Sequence, residues 1–317
     1  MAISQHPEHF HDLPVFDLVP ALQEGAELPE PAAVAWKIGL EYDSAETFRQ
    51  RWEEFLDRVD TTLVRALVIG AWWQDEQKPA AETVELITAN AGRLPALRAL
   101  FLGEVTYEEC EISWIQQSDV TPLLTAFPAL EELVVRGAGG DWDGNGGLRL
   151  DPVRHPALRS LRLESGGLPA EVVRAVGACD LPALEQLELW LGVDQYGGDS
   201  TVADLEPILA GLRLPALRRL GLLDSLAQDE IAAAVAQAPV VARLEHLGLS
   251  MGLLTDAGAG ALLEGQPLTH LKSLDLHHHY LSDGMQQRLT TALAGVDVDL
   301  SEAGKPDERW RYVAVAE

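Results

Sequence analysis

Apolar residues along this chain recur in one fixed frame. It reads Leu181-Pro182-Ala183-Leu184-Glu185-Gln186-Leu187-Glu188-Leu189, and again from Leu94 to Leu102 and from Leu214 to Leu222. Pro128 to Val135 and Pro156 to Leu163 are further copies, and Leu244/Leu247/Leu249 and Leu271/Leu274/Leu276 keep the spacing without the proline. The leading leucines at 97, 130, 158, 184, 217, 244 and 271 are separated by steps of 33, 28, 26, 33, 27 and 27. A step near 27 leaves room for one strand and one helix, a unit that buries its apolar face only against neighbours of its own kind. The last two leucines of each copy are two apart, so they share one face of a strand and the residue between them points the other way. Arg162, Glu188 and Asp275 suit that solvated place; Phe101 and Val134 do not.

Between the strands the period lengthens to that of a helix. Phe48, Trp52, Phe55 and Val59 form an i, i+4, i+7, i+11 stripe behind a candidate N-cap at Ser44. It follows a first strand over 34–42 with Trp36, Ile38 and Leu40 on one face. Val64, Leu67 and Ile69 match the frame loosely. Further helices are expected near 80–91, 169–178, 202–211, 229–238, 256–263 and 283–293. The organisation predicted is an N-terminal cap over 1–33, a solenoid of about ten parallel strands over 34–300, and a C-terminal capping strand within 301–317.

The repeated L-x-x-L-x-L segments resemble leucine-rich repeats. Leu254-Thr255-Asp256-Ala257-Gly258-Ala259-Gly260-Ala261-Leu262 is similar to the strand-to-helix segment of the helix-containing, ribonuclease-inhibitor-like subtype known in bacterial proteins among others. The resemblance covers about residues 64 to 300. It implies an α/β horseshoe, strands on the concave side and helices on the convex side, that binds another protein through the concave surface. One departure stands out. The family places Asn or Cys three residues after the last strand leucine, where this chain has Val105, Ala138, Gly166, Gly192, Ser225, Gly252 and His279.

Charge narrows the partner. Lys and Arg number 23 against 50 Asp and Glu, a net charge of −27. Such a surface repels phosphate backbones and anionic lipid, which argues against nucleic acid and membrane and for a basic protein segment. Two cysteines make no disulfide framework, residues 1–20 hold no basic start before an apolar run, and no uncharged stretch reaches spanning length. The reading is a cytoplasmic protein.

Candidate contacts lie where strands end. Trp72 and Trp73 follow one strand directly, where one ring is expected in the core and the other at the surface. Tyr107 and Trp114 sit in an acidic insertion, Trp142 in the glycine-rich loop 139–147, and Trp190, Asp194, Tyr196 and Asp199 in the loop 190–199. With Phe101, Glu164 and Glu188 these make an aromatic patch ringed by acids, the composition of a protein-binding surface. Asp141, Asp143 and Asn145 match half of a calcium loop, but the Glu due at its twelfth place is Pro152, and the segment reads as turn chemistry. His277-His278-His279 cannot easily converge on one ion; His279 is expected to turn inward in place of the missing Asn. No nucleophile elbow, phosphate loop or H-E-x-x-H is present, so the reading is non-enzymatic, without cofactor. The competing reading is a metal-dependent enzyme or regulator built on the loops 139–147 and 190–199.

Overall fold

A computed structural model describes residues 3–23, 25–74, 77–140, 146–307 and 309–316. The chain is α/β, and its sheet is mostly parallel, with the first two strands antiparallel. It divides into two compact units, residues 2–161 and 162–316.

In the first unit the strands are β1 (His9–Phe10), β2 (Leu13–Asp17), β3 (Ala35–Ile38), β4 (Ala66–Ile69), β5 (Ala99–Leu102) and β6 (Glu132–Arg136). They lie in chain order, in register from Phe16 opposite Trp36 through Trp36–Leu67 and Leu67–Leu100 to Leu100–Leu133. The frame residues Leu67, Ile69, Leu100 and Leu102 are fully buried, and the helices Phe48–Arg58, Ala81–Ala89 and Thr121–Ala126 connect the strands. The predicted stripe of Phe48, Trp52, Phe55 and Val59 is buried. Its cap is Thr47 rather than Ser44, because Gln50 lies three residues on and completes a reciprocal capping box.

A strand β7 (Ser160–Glu164) spans the division between the units. In the second unit β8 (Gln186–Gly192), β9 (Arg219–Ser225), β10 (His246–Gly248), β11 (Ser273–Asp275) and β12 (Asp297–Asp299) again pair in chain order. Helices over Ala170–Ala178, Val202–Ala210, Gln228–Val235, Asp256–Glu264 and Asp283–Ala292 fall where the periodicity predicts them. The missing Asn ladder is replaced by main chain. Asp224, Met251, His278 and Glu302, two residues past the last frame position of successive copies, all take a left-handed conformation with φ between 52° and 68°. The N–H groups of Asp224, Met251 and His278 then bond Ser250 O, His277 O and Ser301 O of the next copy at 2.9–3.0 Å. His279 does turn inward: its Nε2 lies 3.1 Å from Leu300 O and its Nδ1 accepts from the Leu281 N–H. Burial lowers its pKa, so the ring is neutral and can serve both partners.

Among the described residues of 301–316 none lies in a strand; Val313 and Val315 are nonetheless buried, and the Ala314 N–H bonds Met251 O. The N-terminal segment does more than cap an edge. His11 and Asp12, at φ 52° and 59°, make a two-residue turn of the type that matches strand twist. The resulting hairpin lays Phe10, Leu13 and Val15 on Ala35, Ala66, Val68, Ala99, Phe101 and Val134. The apolar residues between the strand leucines are therefore core, because the chain's own first strands cover them.

Candidate functional site

Lys37 is the lone charge of its strand and stands opposite Asp17 on the covered face of the first unit. It occupies the place of Val68 and Phe101 in its own strand, and its Nζ reaches Glu104 Oε2 at 2.9 Å. Glu104 is wholly buried, and a carboxylate so placed needs partners on every side. His6 Nδ1 lies 2.9 Å from Glu104 Oε1 and 3.0 Å from Lys37 Nζ, and Arg136 Nη1 stands 3.9 Å from Glu104 Oε1. One ring nitrogen serves one of its two neighbours at a time: protonated, it donates to Glu104; unprotonated, it accepts from Lys37. The Arg136 guanidinium also lies over the Phe101 ring, 4.9 Å from its centre.

Glycines make the room. A Cβ on Gly39 would sit 3.1 Å from Gly70 Cα, and one on Gly70 would sit 3.6 Å from Lys37 Cε. With no side chains on these neighbouring strand ends, Lys37 crosses above them and a cavity of about 430 Å³ opens beside it. Such a crevice beyond the carboxyl ends of parallel strands is where α/β proteins commonly hold ligands. Acids dominate its lining: Asp17, Glu41, Glu108 and Glu109, with Trp73 in the wall and Tyr42 at the mouth. Asp17 Oδ1 accepts from the Val19 N–H at 3.0 Å and so caps the helix Leu18–Gln23. Burial raises the Asp17 pKa above the ordinary aspartate value, against the lowering pull of that hydrogen bond and of Lys37.

The predicted contact residues fall into three groups. Tyr107 and Trp114 are exposed, at 44% and 41%, in the loop that also carries Glu108, Glu109 and Glu111. Trp114 Nε1 donates to Glu111 Oε2 at 2.9 Å. A second group is buried. Both Trp72 and Trp73 are core, packed edge to face with ring centres 4.9 Å apart, and Trp72 Nε1 donates to Lys78 O. Neither therefore stands out as a surface contact, although Trp73 keeps an edge in the cavity wall. Phe101 lies under Phe10, and Glu164 is buried on Arg162 at 3.0 Å. The third group belongs to the second unit. Glu188 and Trp190 are half-buried and bond each other through Trp190 Nε1 and Glu188 Oε1 at 2.8 Å. Asp194 is exposed and Tyr196 half-buried, whereas Asp199 caps the helix Ala170–Ala178 by accepting from the Ala170 N–H. Trp142 and the calcium-loop residues Asp141, Asp143 and Asn145 lie outside the described residues.

Sequence reasoning missed Asp17, Lys37 and Glu104. Only Lys37 gave a signal, as a lone charge inside an otherwise apolar strand. In the second unit Asp275, His277 and Asp299 gather their ligand-type atoms within 4.8 Å of one another. His277 Nδ1 there bonds Asp275 Oδ1 at 2.8 Å, and that bond raises the histidine pKa. Among the described residues no helix is long and apolar enough to cross a membrane.

Comparison with known proteins gives a structural neighbour. The crystal structure of a Bacteroides fragilis protein, a structural-genomics target, superposes with a TM-score of 0.79 at 30% identity, covering 94% of this chain and 83% of that one. No protein-family model matches the chain, and no curated protein matches it.

Proposed function

The chain belongs to the same family as the Bacteroides fragilis protein, and from that premise we propose that it is a leucine-rich-repeat solenoid of the helix-containing subtype acting as a non-enzymatic protein-binding module. Its partner is a basic protein segment, bound at the strand-end loops of the first unit. The observation that carries this reading is the exposure of Tyr107 and Trp114 in the loop of Glu108, Glu109 and Glu111, together with the exposed Tyr42 beside Glu41, and that loop and Tyr42 both contribute to the lining of an acidic cavity. Aromatic rings bury large area at low entropy cost, and a ring of carboxylates steers and selects a cation-rich chain. The face opposite the leucines, which the family resemblance favours for binding, is occupied in this unit by Phe10, Leu13 and Val15. Binding therefore moves to the rim.

The test is an array of basic, neutral and acidic peptides presented to the immobilised protein. Basic peptides are expected to be retained, and Tyr107→Ala and Trp114→Ala to weaken retention about tenfold each while the melting temperature stays within a degree or two. Equal retention of acidic and basic peptides would overturn the reading.

A further inference from the structure

We infer that the cavity beside Gly39 and Gly70 seats the side chain of one arginine from the partner's basic segment. This rests on the basic-segment reading and names its anchoring contact. Among the described residues, Lys37 is the only lysine or arginine lining the cavity, and its charge is already matched by Glu104 at 2.9 Å. Lys37 cannot leave Glu104 without stranding a wholly buried carboxylate. His6, also in the lining, shares Glu104 and stands 3.5 Å from Glu109 Oε2, so Asp17, Glu41 and Glu108 are the lining acids that no described residue meets in an ion pair. Asp17 shows the deficit most clearly. One oxygen is held by the Val19 N–H, and among the described residues nothing donates to the other. Burial raises its pKa, Glu41 adds to the repulsion, and the charges of Lys37 and His6 offset this only in part.

An anion would meet this lining at a loss, and an apolar group would leave Asp17 more desolvated still. Between the two protein cations, guanidinium fits better. It is planar, weakly hydrated and stacks on aromatic faces, and Trp73 and Tyr42 supply rings at the wall and the mouth. An ammonium group sheds more hydration to enter and gains less from the rings. The volume, about 430 Å³, takes an arginine side chain together with part of its flanking backbone. Since the cation pairs with ionised Asp17, affinity rises with pH through the raised Asp17 pKa, and binding releases a proton in that range.

The experiment uses three nine-residue peptides of alternating lysine and glycine, with arginine, lysine or citrulline at the centre, titrated into the full chain by fluorescence anisotropy. The arginine peptide is expected to bind about tenfold or more tightly than the other two. Asp17→Asn keeps an oxygen for the Val19 N–H but removes the charge, and should erase that difference at unchanged melting temperature. Glu109→Gln gives a second, independent removal of charge should the first variant fold poorly. Three peptides of equal affinity, or an arginine preference that survives both substitutions, would overturn the arginine seat while leaving the basic-segment reading intact. Failure of all three peptides to bind, with the aromatic rim intact, would overturn both.

Discussion

The two units carry the same frame and use its reverse face in opposite ways. In the first, the places between the strand leucines hold Val68, Phe101 and Val134, and the N-terminal hairpin presses Phe10 onto them. In the second, the matching register runs Glu188, Gly221, Gly248, Asp275 and Asp299, and the apolar side chain lying over its glycines is Leu223 of the sheet itself rather than a separate hairpin. Glycine at two adjacent strands lets side chains lie down on the sheet: Glu188 Cγ would be 3.0 Å from a Cβ on Gly221. A leucine frame therefore fixes where strands go without fixing what their other face does. That depends on whether another segment has enough apolar surface to cover it.

The largest effect should come from exchanging the character of one register position. Phe101→Asp would put an unpaired charge under Phe10 and leave a void, costing about 5 kcal/mol or more. Asp275→Ala, the corresponding place in the second unit, removes a contact with half-exposed His277 and should cost under about 1 kcal/mol. Urea unfolding of the two variants checks this. Similar midpoints would mean that the two faces do not differ as described.

Next in size is the buried carboxylate. Lys37→Met should cost about 3 kcal/mol, the low end for a broken buried pair, because His6 remains beside Glu104. Adding Glu104→Gln should recover part of that loss. A double variant less stable than Lys37→Met alone would show that Lys37 acts by packing rather than by charge.

A pH-dependent effect separates the units. Asp224, in the second unit, is wholly buried, and burial pushes its pKa up to about 8 although its Oδ1 accepts from the Val315 N–H. The folded state holds this proton more tightly than the unfolded chain. Stability is therefore fully present below the ordinary aspartate pKa of 3.8 and declines as pH rises toward about 8, then levels. Asp224→Asn keeps the acceptor and removes the titration, so its melting temperature should match wild type at pH 4 and exceed it at pH 9. A wild-type protein equally stable at both would mean that the carboxyl is solvated.

What was legible in the sequence was whatever repeats within one copy. The leucine spacing is a local pattern, so the strand positions and the later helices could be read from it, and His279 could be placed in the turn. The capping error at Ser44 was local too, since Gln50 marks Thr47 as the partner of a capping box. The candidate site is another matter. His6, Asp17, Lys37, Glu104 and Glu109 come from four segments up to 103 residues apart and share no motif. Nor did composition tell buried tryptophans from exposed ones. Of Trp72 and Trp73 only one is expected in the core and both are buried there, while Trp114 in a similar setting is exposed. Periodicity assigns a side chain to a face of its own element. Whether that face meets water is decided by what folds over it, and here the cover is a hairpin turned at His11 and Asp12, without the Asn-Gly or Asp-Gly pair that would have announced it.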